Sequence, residues 1–75
     1  MNISGVLVHI RSEQTDAVMS QLNDLAGVEV HAATDDGRLV VTIEDDAGPM
    51  IDIMNSFYDI EGVLSSSLIY HNFED

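Results

Sequence analysis

The chain has 75 residues, 14 acidic side chains against two basic ones (Arg11 and Arg38), no lysine, no cysteine and a formal charge of −12. That length fits one domain spanning 1–75 with a marginal core, burying roughly 60% of the surface the unfolded chain exposes. The missing cysteines exclude disulfides, iron–sulfur clusters and thiolate zinc sites, and the missing cationic footprint makes nucleic acid or an anionic membrane a poor partner.

The first element is the strand "SGVLVHI" (4–10). The N-terminus lacks the basic n-region of a signal peptide, so it reads as a structural strand of a cytoplasmic protein. No segment approaches the roughly 18 consecutive apolar residues of a membrane span. An amphipathic helix follows, with Ser12 as the expected N-cap and Gly27 as its stop. "VEVHAAT" (28–34) is the second strand; Asp36-Gly37 then signals a two-residue type I′ hairpin loop leading into "LVVTIE" (39–44). Pro49 marks the start of a second helix, where a first-turn proline is tolerated, and Gly62 its end. "GVLSSSLIYH" (62–71) is the last strand.

A faint internal repeat ties the halves together. "MSQLNDLAGV" (19–28) echoes "MNSFYDIEGV" (54–63), an offset of 35 residues from Met19 to Met54. Val18, Leu22 and Leu25 match Ile53, Phe57 and Ile60, the i, i+4, i+7 stripe of an amphipathic helix. The order is therefore βαββαβ. Right-handed crossovers and interleaved halves predict an α+β, ferredoxin-like sandwich: a four-stranded antiparallel sheet in the order 4-1-3-2, with both helices on one face.

The expected two-residue loop sets Asp35 opposite Arg38, Ala33 opposite Val40, Ala32 opposite Val41, His31 opposite Thr42, Val30 opposite Ile43 and Glu29 opposite Glu44. The apolar row belongs under the helices, with Val6, Val8 and Ile10 of the first strand. For the last strand neither row is properly polar. The repeat aligns Val63 with Val28 and Ser65 with Val30, which places Val63, Ser65, Ser67 and Ile69 under the helices. The opposite phase would put Leu64 and Leu68 there instead. In the first phase the open face carries Leu7, His9, Val40, Thr42, Leu64, Ser66, Leu68 and Tyr70, grading into Glu29 and Glu44. Exposed apolar surface marks an interaction site. Two like charges facing each other across a sheet cost stability unless a cation approaches. Together they suit a ligand with an apolar stretch beside positive charge.

Catalytic and metal chemistry find no support. His9, His31 and His71 lie on three strands without ligand spacing, so no metal is expected. Ser65 to Ser67 lack a nucleophile elbow, and no phosphate-binding glycine motif occurs. Strands 1 and 3 have no aromatic residue for stacking RNA bases. An ACT-like regulatory module taking a small molecule between subunits, or a plain dimerisation domain, remains an alternative.

"SGVLVH", "AGVEVH", "DDGRLVVTIE" and above all "IEGVLSSSLIYH" resemble the NapD family over nearly the whole chain, Ile3 to His71. The resemblance implies a ferredoxin-like cytoplasmic chaperone that is not an enzyme and carries no cofactor. Such a protein binds the twin-arginine signal peptide of the periplasmic nitrate reductase catalytic subunit and delays export until the molybdenum cofactor is in place. On that reading the arginines would meet Glu29 and Glu44 and the apolar segment would lie on Leu7, Val40, Leu64, Leu68 and Tyr70. A peptide could also add as a strand along edge strand 2 or 4; the apolar open face favours docking across the face.

Overall fold

The computed structural model describes residues 2–44 and 49–73, the outermost positions 2 and 70–73 by backbone alone. Four strands, β1 (Asn2–Ile10), β2 (Val28–Ala33), β3 (Arg38–Glu44) and β4 (Val63–Phe73), form one sheet in the order β2-β3-β1-β4. This is the expected 4-1-3-2 order read from the other edge, and every pair is antiparallel. Helices α1 (Thr15–Asn23) and α2 (Met50–Ser56) make the crossovers, α1 preceded by a 3-10 turn at Ser12–Gln14 and α2 followed by one at Phe57–Asp59.

The repeat predicts the core well. Val18 and Leu22 of α1 and Phe57 after α2 are fully buried, and Ile60 is 8% exposed. They cover Val6, Val8, Ile10, Val28, Leu39, Val41 and Ile43, the helix-facing row of the sheet. Both helix-to-strand returns use a glycine in left-handed backbone, Gly27 (φ 76) and Gly62 (φ 103). The helix starts differ from expectation. Ser12 opens a 3-10 turn rather than capping α1, and its carbonyl accepts a 2.7 Å bond from the Thr15 hydroxyl. Pro49 sits just before α2 in extended backbone (φ −60, ψ 130).

The β2–β3 hairpin is not the predicted two-residue loop. A type I′ turn needs positive φ at both central residues, and no described non-glycine residue has it. Instead the Thr34 N–H donates to the Arg38 carbonyl at 2.8 Å, and the Gly37 N–H donates to the Thr34 carbonyl at 3.2 Å. Asp35, Asp36 and Gly37 thus form a three-residue loop, a tight turn ending in left-handed Gly37 (φ 87). The register shifts with it. Val28 lies opposite Ile43, Glu29 opposite Thr42 and Val30 opposite Val41, while a bulge at His31 leaves Ala32 opposite Val40 and Ala33 opposite Leu39. The hairpin is tied to β1 by a 2.8 Å bond from the Ile10 N–H to the Gly37 carbonyl.

Strand β4 changes phase twice. Val63 pairs with Ile10 as expected for the helix side, but a register shift then skips Leu64. From there Ser65 pairs with His9, Ser66 with Val8, Ser67 with Leu7 and Leu68 with Val6. A second shift skips Ile69, and Tyr70 pairs with Gly5. Paired residues of an antiparallel ladder point to one side of the sheet. Ser65 and Ser67 therefore share the open face with His9 and Leu7, and Ser66 and Leu68 share the helix side with Val8 and Val6. This reverses the expected placement of those four residues. The cause is one extra residue at Leu64, since a bulge moves everything after it to the other face.

Candidate functional site

The sheet face away from the helices is built from the second row of each strand. At its centre Leu7 of β1 lies opposite Val40 of β3 and, on the other side, opposite Ser67 of β4. Gly5 lies opposite Thr42, and Ile3 opposite Glu44. Ile3, Leu7, Val40 and Thr42 are half-buried although no helix among the described residues covers them, because neighbouring strands crowd their flanks. The result is a shallow apolar centre.

Charge is distributed along the strands. At the hairpin end His9 pairs with Arg38, and the Arg38 Nε lies 3.6 Å from the Asp36 carboxylate. A hydrogen bond from the Thr34 hydroxyl, helped by the Arg38 charge, holds the Asp36 carboxyl below the usual carboxylate range. At the opposite end Glu29 and Glu44 share the face. They are not the directly opposed pair expected: Glu29 faces Thr42, and Glu44 lies one same-face step further along β3. Such diagonal neighbours stand roughly 7–8 Å apart. Their mutual repulsion is therefore weaker than for an opposed pair, and a cation between them could still pair with either carboxylate.

The bulge at His31 turns its ring onto this acidic end. His31 Nε2 lies 2.7 Å from Thr42 Oγ1 and 4.0 Å from a Glu29 carboxylate oxygen. Bulges re-aim side chains in this way.

Of the sequence-derived site residues, Leu7, His9, Val40, Thr42, Glu29 and Glu44 do share the open face. Ser66 and Leu68 do not, because they pair with the core residues Val8 and Val6, and Leu64 stands at the first bulge. Tyr70 is opposite Gly5 by backbone register, and its side chain lies outside the described residues. The apolar patch is smaller than expected on β4, where it is replaced by Ser65 and Ser67. Residues that the patterning missed on this face are Arg38, Ala32 and the two serines. Arg38 was legible from strand alternation; the serines were not, since no sequence signal marks the bulge.

Among the described residues, a sheet uncovered on one side, with apolar centre and acidic end, and helices confined to the other side define a small ferredoxin-like domain with one exposed sheet face. Comparison with known proteins narrows this class. A family model described as NapD protein matches residues 1–75. The chain is 36% identical over 76 aligned residues to the chaperone NapD of Escherichia coli K12, covering 97% of this chain and 86% of the relative. The same values hold for the chaperone NapD of Shigella flexneri. The solution structure of the E. coli Tat proofreading chaperone protein NapD matches with a TM-score of 0.78 at 30% identity, covering 97% of this chain and 79% of that one. The chain belongs to the NapD family.

Proposed function

We propose that this domain is a cytoplasmic, non-enzymatic chaperone that binds the twin-arginine signal peptide of a periplasmic nitrate reductase catalytic subunit on its open sheet face. The binding delays export of the precursor until its cofactor is inserted. The observation that carries the reading is the membership in a family whose relatives are named chaperones, one of them a Tat proofreading chaperone. The face supplies the matching chemistry. Glu29 and Glu44 offer carboxylates to the paired guanidinium groups, and Ile3, Leu7 and Val40 offer an apolar track to the segment that follows. Arg38 at the hairpin end repels a second cation, so the arginines belong at the Glu29–Glu44 end. The chain's −12 charge speeds encounter with a cationic peptide and makes association salt-sensitive.

Calorimetric titration with a synthetic twin-arginine signal peptide tests this. Binding is expected to weaken with added salt and to weaken again for a twin-lysine peptide, since an ammonium cannot make the bidentate contact of a guanidinium. Glu29→Lys combined with Glu44→Lys should weaken it and flatten the salt dependence. An unmodified chain that ignores the peptide removes the proposed function; binding indifferent to both glutamates moves the arginines elsewhere.

A further inference from the structure

The β4 edge has a character that the open face does not need. Among the described residues the exposed large apolar side chains are Ile51, Tyr58, Leu64, Leu68 and Ile69. Three of the five lie on β4, and a fourth, Tyr58, reaches it with a 3.3 Å bond from the Ser66 N–H to its hydroxyl oxygen. Leu64, Leu68 and Ile69 are 55%, 48% and 51% exposed. This strip also lacks formal charge. Between Glu61 and Glu74 there is no Asp, Glu, Lys or Arg, in a chain of net charge −12.

We propose that the β4 edge is a self-association surface on which a second copy of this chain docks about a two-fold axis near Leu68. A two-fold interface sets each surface patch against its own copy. A chain this acidic can meet itself closely only where it is neutral, and this edge is that place. A cationic peptide finds no carboxylate here. The backbone is suitably oriented. The Ser66 amide points away from β1, toward Tyr58, so the alternation of an antiparallel ladder turns the Leu68 amide and carbonyl outward as well. Natural edges are usually blunted by charge or cover, and the other edge of this sheet is. It carries Glu29, and the Asn23 side chain accepts the outward Val30 amide at 3.1 Å. Among the described residues only Tyr58 covers an amide of β4, and the bulges at Leu64 and Ile69 add apolar surface where protection calls for charge. Edge-to-edge docking leaves the open faces bare, so it proceeds independently of peptide binding.

Sedimentation of the full chain over a concentration series reaching about 1 mM tests the proposal, in the range where interfaces below roughly 1,200 Å² associate. A dimer is expected whose fraction rises with added salt, because screening relieves the repulsion between two acidic copies. Peptide binding has the opposite salt dependence. Leu68→Lys should abolish the dimer and leave peptide affinity unchanged. Amide exchange in the unmodified chain gives a second readout: the Leu68 amide should gain protection as concentration rises. A chain monomeric throughout, or a dimer indifferent to Leu68→Lys and without added protection at Leu68, overturns the proposal. So does a loss of peptide affinity in Leu68→Lys, which would make the peptide the occupant of this edge.

Discussion

Replacing Gly37 by alanine should cost this protein a large part of its stability. Gly37 has φ 87, a left-handed conformation that costs an alanine about 1–2 kcal/mol. A β-carbon there would also press on the backbone carbonyl oxygen of Ile10 and come within 3.5 Å of the Ser12 nitrogen. Those are backbone atoms at the end of β1 and the start of the 3-10 turn that follows it, so they cannot turn aside as a side chain would. Relief requires separating β1 from the hairpin, which endangers the 2.8 Å bond between the Ile10 N–H and the Gly37 carbonyl, a loss of roughly 1 kcal/mol. The sum is about 2–3 kcal/mol, against the roughly 4–11 kcal/mol that typical per-residue stability assigns to a domain this size. Urea unfolding followed by circular dichroism would show a midpoint lower by about 2 M at a slope near 1 kcal/mol per molar. Asp36→Gly is the companion variant. A two-residue type I′ loop would hold Asp36 at positive φ and gain from glycine. The observed loop does not, so the variant should be neutral or destabilised by up to about 1 kcal/mol. A Gly37→Ala loss below about 0.5 kcal/mol, or a stabilised Asp36→Gly, would refute the loop geometry.

The remaining predictions concern the core, the face and pH. Phe57→Ala removes a fully buried ring and should cost about 3–5 kcal/mol in the same unfolding assay, enough to leave much of the chain unfolded at 37 °C. Leu7→Asp should reduce signal-peptide affinity in a folded protein, whereas Leu64→Asp, at the β4 bulge, should not; equal losses would mean that the peptide contacts the edge. Thr34→Val removes the hydroxyl that holds the Asp36 carboxyl low, so its pKa should rise toward the ordinary value in an NMR titration. A carboxyl depressed on folding adds stability above its unfolded pKa and loses it as pH falls through the folded one. The variant's own acid sensitivity should therefore be smaller over that window.

The fold was legible because several local signals agreed. The stripe of Val18, Leu22, Phe57 and Ile60 reads as helix and proves to be core. The alternation of Val6, Val8 and Ile10 against Ile3, Leu7 and His9 reads as a half-buried strand, and an uninterrupted strand keeps its alternation. The central residues of the open face were legible to the same depth. Leu7, Val40, Thr42, Glu29 and Glu44 lie on stretches whose alternation no bulge reverses, and all five share the open face. Leu64, Ser66 and Leu68 were misplaced because they follow or occupy a bulge. Asp36-Gly37 misled for a related reason, since the same dipeptide suits a two-residue loop and the end of a three-residue one.

Sequence alone determined the element order, the helix stripes, the central open-face residues and the acidity of the chain. These follow from side-chain periodicity and charge, which are properties of neighbours along the chain. Tertiary structure decided the hairpin register, the three bulges at His31, Leu64 and Ile69, and with them which residues of β4 face the helices, the open side and the edge. A bulge adds one residue to a strand and leaves no mark in composition. Its position is set by which pairing lets the core rows of adjacent strands meet beneath the helices, and that depends on all four strands at once.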